Sequence, residues 1–174
     1  MARLRRGLRR LFRSKSGLTA IEVALVLPPF ILLTFGIIET AMLYFIATSL
    51  EGQVAAAGRQ IRTGNVQADG SPVEAFKTLL CGGLGGLIDC GKVVLDVRNY
   101  PNWSNVTYPP FLDEEGNPAG ATFSPGGPGN IVVVRVAYRW SILTPFLGEF
   151  FGDAGGQSKQ LHSAAAFRNE PFGS

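Results

Sequence analysis

From Val23 to Ala47 the chain is apolar almost without interruption, and Glu39 is the one charged residue in the stretch. At ~1.5 Å per residue a helix of this length is roughly 37 Å long, enough to cross a hydrocarbon core of about 30 Å with some tilt. Leu25, Val26, Leu27, Phe30, Ile31, Leu32, Leu33, Phe35, Ile37 and Ile38 fall on every side of the projected helix, so no polar face is left for water. The pattern then narrows. Leu50, Val54, Ala57 and Ile61 recur at spacings of four, three and four, a single stripe, with Glu51, Arg59 and Arg62 on other faces. Arg59 and Arg62 suit a helix C-terminus, and Gly64-Asn65 supply a left-handed residue to end it. One helix over 18–63 is therefore expected to serve as both membrane anchor and domain spine.

A second helix is signalled at Ser71-Pro72-Val73-Glu74, which reads as a capping box with Pro at the first helical position; Val73, Phe76, Leu79 and Leu80 give it an apolar face, and it stops at Cys81-Gly82-Gly83. Beyond it the period changes to two. Val93, Leu95 and Val97 alternate with Val94, Asp96 and Arg98, and Val132, Val134, Val136, Tyr138 and Trp140 alternate with Val133, Arg135, Ala137 and Arg139. Both stretches predict strands with one buried face. Leu161 to Phe167 reads as a third strand or, given its alanines, as a helix. The segment 100–130, rich in Pro and Gly and bearing Tyr100, Trp103, Tyr108, Phe111 and Phe123, reads as a partner-contact loop or a plain surface insertion. Thr144-Pro145 opens a turn of helix carrying Phe146, Leu147, Phe150 and Phe151, either core or a docking patch. The fold class is α+β: a long N-terminal helix, then a small domain with a short antiparallel sheet.

Charge changes the picture of the N-terminus. The net charge of +3 is carried by a leader in which Arg3, Arg5, Arg6, Arg9, Arg10, Arg13 and Lys15 meet no acid. After Gly17, nine Lys/Arg face thirteen Asp/Glu, a balance of 9 − 13 = −4. A mildly acidic body argues against a nucleic-acid partner. A basic flank on a first span holds that end in the cytoplasm, so the leader is expected inside and the residues after about 48 outside.

Chemistry is sparse. One histidine, His162, two cysteines and scattered acids offer no nucleophile beside a base and no metal spacing, so no catalytic residue, metal or cofactor is expected. The glycines at 82–86 invite a phosphate-loop reading, but Gly91-Lys92 is followed by Val93 where Ser or Thr is required. Cys81 and Cys90, an even count on the exported side, read as one disulfide closing a short loop or as two buried thiols.

The junction between leader and span carries a resemblance. Gly17, Leu18 and Glu22, with Glu at the fifth position after the Gly and an apolar helix beyond, resemble the class III signal of type IV pilin-like proteins. The run Gly-Leu-Thr-Ala-Ile-Glu-Val-Ala-Leu-Val-Leu-Pro at 17–28 is more closely similar to TadE-like proteins, minor pilins or pseudopilins of the Tad (Flp) pilus system, and the ending Arg168-Asn169-Glu170-Pro171-Phe172 is similar to that family too. The resemblance implies a basic leader over 1–17 cut between Gly17 and Leu18 by a prepilin peptidase, a membrane and spine helix over 18–63, and an exported domain over 64–174. It implies that Glu22 pairs with the freed N-terminal amine of a neighbouring subunit, although a carboxylate in a first helical turn is also stabilised by the helix dipole alone. It further implies as partners other Tad pilins, the inner-membrane assembly platform and the lipid bilayer of a bacterial inner membrane. Pro28 and Pro29 remove the amide partners of Ala24 and Leu25, so a bend is expected there. Glu39 reads as snorkelling outward or as a subunit contact. The other reading of the whole chain is a single-pass, membrane-anchored binding or assembly protein that enters no filament.

Overall fold

The computed structural model describes residues 16–144, 147–153 and 156–173, with side chains from residue 19 onward. The arginines of the leader, Pro145 and Phe146 lie outside the described residues. The chain divides into two compact units at Thr40–Ala41. Helix α1, Ser16–Arg62, is continuous across that point. The described part of the first unit is this helix alone.

In the second unit, α1 is followed by α2 (Pro72–Gly82), β1 (Val93–Tyr100), β2 (Ile131–Ser141), a five-residue helix α3 (Leu147–Phe151) and β3 (Ser158–Arg168). The three strands form one antiparallel sheet in the order β1-β2-β3. The register aligns Val97 with Val134 and Val134 with Ala165, so alternate positions share a face. Leu161–Phe167 is thus strand, and the helix alternative falls because this run pairs along its whole length with β2.

One sheet face meets α1. Ile46, Leu50, Val54, Ala57 and Ile61 are at most 3% exposed, and they join Phe76 and Leu80 of α2 with Val97, Val132, Val134, Val136 and Leu161 in one core. Burying each large apolar side chain contributes about 1.5–3 kcal/mol before the entropy of ordering is subtracted. Gly58 lets the helix approach β3: a Cβ there would stand 2.9 Å from the ring of Phe167.

The second sheet face is also covered, which corrects the expectation of strands with one buried face. Ile131, Val133 and Ala137, all on the far side of β2, are buried. The cover is the segment between β1 and β2. Phe111 is 9% exposed and lies 4.5 Å under the guanidinium of Arg135, with His162 edge-on to its ring. Residues 122–124 run along the outer edge of β1, where the Val97 amide donates to the Thr122 carbonyl (2.7 Å) and the Ser124 amide to the Val97 carbonyl (2.8 Å). Phe123 turns into the main core against Phe76, its ring centroid 5.7 Å away. Much of the supposed contact loop is therefore structural, and it protects a strand edge that would otherwise offer free backbone groups.

Asp96 joins the two layers. Its side chain is fully buried, and its oxygens accept from Arg98 Nε (3.0 Å), Arg135 Nε (2.9 Å), Arg135 Nη2 (2.5 Å) and the Thr122 amide (3.0 Å). Arg98 Nη2 reaches on to the Gly120 carbonyl at 2.6 Å. A buried carboxylate is tolerated because both oxygens are satisfied and two cations neutralise it.

At α2 the capping box does not form. Ser71 is the N-cap residue, but its side chain makes no cap bond; its own amide instead donates to Asp69 Oδ1 at 2.8 Å. The buried face of α2 is narrower than its sequence suggests, with Phe76 and Leu80 inside while Val73 and Leu79 remain exposed.

Asp96→Asn keeps the shape and removes the charge that holds two guanidinium groups. The expected loss is about 3 kcal/mol, because Arg135 is left buried without its counter-ion. Urea unfolding of the detergent-solubilised chain checks it, and the double variant Asp96→Asn/Arg135→Met should recover part of the loss.

Candidate functional site

In the first unit, Gly17 and Leu18 belong to the opening turn of α1, and their side chains lie outside the described residues. Glu22 is exposed, as are Ile21, Val23, Leu25, Val26, Phe30 and Leu33. The most apolar 18-residue window of α1 has a mean hydropathy of 2.3 and is only 6% buried. A continuous apolar surface of this size does not face water in a stable protein, and lipid or other apolar helices must cover it. The hydroxyls on it are dealt with internally. Thr34 Oγ1 donates to the Phe30 carbonyl and Thr40 Oγ1 to the Gly36 carbonyl, both at 2.8 Å, so neither hydroxyl is left in want of water. The helix continues through Pro28 and Pro29. Glu39 is 8% exposed.

In the second unit, the C-terminal end of α1 is closed by a Schellman arrangement. The Asn65 amide donates to the Gln60 carbonyl and the Gly64 amide to the Ile61 carbonyl, each at 3.0 Å, and Gly64 takes the φ of +84° this geometry requires. The last residues of the chain dock on this cap. The Glu170 amide donates to the Arg62 carbonyl (2.9 Å), the Glu170 carboxylate pairs with Arg62 (3.1 Å), and the Phe172 ring lies directly against Gly64. Asn169, 3% exposed, ties the same segment to the 125–130 turn. Its amide donates to the Asn130 carbonyl (2.8 Å), and its Nδ2 reaches the carbonyls of Pro125 and Gly127, each at 3.0 Å. The ending at 168–172 thus acts as a clasp between helix cap and sheet. In the sequence these residues stand out only through a resemblance, with no role attached. The alternation sets Asp96 on the open face of its strand, also with no role, although an acid at a strand position near Arg98 and facing Arg135 was the available signal.

Cys81 and Cys90 are joined in a disulfide with a Cα–Cα distance of 6.2 Å. It staples the end of α2 to the start of β1 across a short glycine-rich loop, worth roughly 2–3 kcal/mol on the chain-entropy model. Trp103 and Tyr108 stand exposed on the segment between β1 and β2.

A surface cleft of about 720 Å³ is lined by Asp113, Glu114, Arg139, Asp153, Gln160 and His162, among others. The carboxyl of Asp153 is held below the usual aspartate range by a hydrogen bond from Lys159 Nζ (2.6 Å) and by the Gln160 amide (2.6 Å). That contribution to stability is present above the ordinary aspartate value and is lost as pH falls through the lowered one. Asp113 is likewise held low by the Asn117 amide. Asp113 and Asp153 thus each accept from a nearby backbone amide. Among the described residues no three His, Cys, Asp or Glu side chains come close enough to hold a metal ion.

The described chain is an α+β protein with one helix long and apolar enough to cross a membrane. Residues 17–59 match the family model described as TadE-like protein. The match begins at Gly17 and covers α1 almost to its last turn, leaving the sheet outside it. No curated protein and no solved structure matches the chain.

Gly64→Ala should destabilise in two separable ways, by about 1–2 kcal/mol of left-handed strain and by collision of the new Cβ with the Phe172 ring. Thermal unfolding of Gly64→Ala in the wild-type and Phe172→Ala backgrounds checks it. The glycine substitution should cost less where the ring is gone.

Proposed function

We propose that this chain is a non-enzymatic, membrane-tethered pilin-like subunit or assembly factor of a Tad-type pilus. The single observation that carries the reading is the TadE-like match opening at Gly17, on the Gly17-Leu18-Glu22 junction, at the start of an unbroken helix. In this reading residues 1–17 are a cytoplasmic leader, 18–63 the membrane and spine helix, and 64–174 a domain outside the inner membrane. A prepilin peptidase removes the leader after Gly17, where a bulky side chain would obstruct the cut. Neighbouring pilins and the assembly platform cover the apolar surface of α1 that the chain itself leaves open, and a bend at Pro28 and Pro29 adjusts that packing.

Glu22 becomes the fifth residue of the mature chain. It is exposed on α1 at the edge of the apolar run, where an unpaired carboxylate costs a few kcal/mol. A freed amine at Leu18 of an adjoining subunit offsets that cost. The disulfide, the Asp96 pairs and the C-terminal clasp keep the exported domain rigid while α1 is drawn into an assembly.

Intact mass of the membrane-extracted protein tests the processing step. The expected mature chain starts at Leu18, and Gly17→Lys should leave the precursor uncut; a different N-terminus would sink the proposal.

Glu22→Gln should leave membrane level and domain stability unchanged or slightly improved while reducing co-purification with other pilins and recovery in sheared filament fractions. Full recovery in those fractions would leave Glu22 as a helix-dipole residue only. Absence of the wild-type chain from filament fractions would favour an anchored assembly factor.

A further inference from the structure

The hairpin end between β2 and β3 carries three large apolar side chains pointing outward: Leu143 is 77%, Phe150 79% and Phe151 50% exposed. They are not on a loose loop. The Ile142 amide donates to the Gln157 carbonyl (2.9 Å), the Asp153 amide to the Ser158 carbonyl (2.8 Å), and Lys159 pairs with Asp153 (2.6 Å). Gly148 is buried directly under the Gly156 carbonyl, which brings α3 against the residues that lead into β3. Together Leu143, Phe150 and Phe151 make an exposed apolar patch of the kind that marks an interaction site.

The position of this turn along α1 identifies what covers it. At the far end of the domain, Gly58 touches Phe167, the Arg62 carbonyl accepts from Glu170, and Gly64 touches Phe172, so α1 and the chain leaving β3 advance side by side in the same direction. From Arg168 back to Ser158 a strand covers about 33 Å at ~3.3 Å per residue, and stepping back ~33 Å along α1 from Arg62 at ~1.5 Å per residue reaches about residue 40. The β2–β3 turn therefore lies level with the point where α1 enters this unit. There Met42, Tyr44 and Phe45 are themselves exposed, at 45%, 71% and 57%. Leu43 and Ala47 of the helix and Trp140 of β2 pack on the same core.

We propose that Leu143, Phe150 and Phe151 form a lipid-contacting foot that dips into the bilayer interface beside α1, completing a belt with Met42, Tyr44 and Phe45. Aromatic and large aliphatic side chains partition favourably into that zone, and each contributes roughly in proportion to the apolar area it removes from water. The foot gives the exported domain a second point of attachment and fixes its tilt on the membrane. The inference rests on α1 spanning the bilayer, and the test below separates the two.

The probe is Phe150→Trp in a Trp103→Phe background, in the full chain reconstituted into phosphatidylcholine vesicles, with Trp140 subtracted using the Trp103→Phe protein. Phe150 is so exposed that the larger ring meets no packing cost, and an intact Cys81–Cys90 disulfide with unchanged circular dichroism confirms the fold. The expected result is blue-shifted emission that loses most of its intensity with lipids brominated near the glycerol end of the acyl chain, and far less with bromine near the methyl end. Water-like emission untouched by either lipid overturns the foot. Blue-shifted emission that neither lipid quenches overturns it as well, and assigns the patch to a protein partner or a second copy. Release of the unmodified chain from vesicles by alkaline carbonate overturns the span and the foot together, whereas retention of the chain with no lipid quenching of the Phe150→Trp emission overturns the foot alone.

Discussion

A helix that passes from an apolar span into a protein core has to change, partway along its length, what surrounds its side chains. In α1 the change is written in the distribution of apolar residues. They fall on all sides as far as Phe45 and on one stripe from Ile46 to Ile61. Because the backbone hydrogen bonds are internal throughout, the same helix needs no break between the two environments. The domain depends on this stripe. It supplies one wall of the core, the sheet supplies the other, and α2 with the Cys81–Cys90 loop closes the side.

A three-stranded sheet under a single helix leaves one face and both outer strand edges open to water. The segment between β1 and β2 covers that face, pairs with the β1 edge and is itself held by charge. Asp96 is drawn out of water on the face away from α1, and the guanidinium groups and amide that satisfy it come from β1, β2 and the covering segment alike. Phe111 then closes over Arg135. The arrangement contributes less as an ion pair than as a set of directional bonds that can be met in only one geometry, so the cover has a unique position.

The clasp at 168–172 has a similar logic at the end of α1. A Schellman cap satisfies the final carbonyls but leaves Gly64 as a bare backbone surface, and the Phe172 ring is set against it. A helix end covered in this way resists fraying. Glu170 and Asn169 provide this by joining the cap to the start of β2 through the 125–130 turn.

What the sequence determined by itself is whatever depends on local periodicity or on covalent spacing. The all-round apolar run, the stripe at 50–61, the left-handed stop at Gly64 and the two valine-rich strands were each legible, because a helix or strand projects its burial onto a fixed repeat, whereas the structure decided between a disulfide and two thiols at Cys81 and Cys90. The Gly17-Leu18-Glu22 junction was legible as a linear motif. Tertiary structure alone decided the rest. Alternation in β2 predicts one wet face, but a segment far along the chain covers it, and no local repeat records that. Leu161–Phe167 is nearly neutral between helix and strand, and the free edge of β2 settled it. Ser71 had the spacing of a capping box and lost its amide to Asp69, a competition that propensity does not resolve. Phe123 and Phe150 belong to equally irregular stretches, yet one fills the core beside Phe76 and the other points outward, because only the packing of distant elements sets which aromatic finds a cavity.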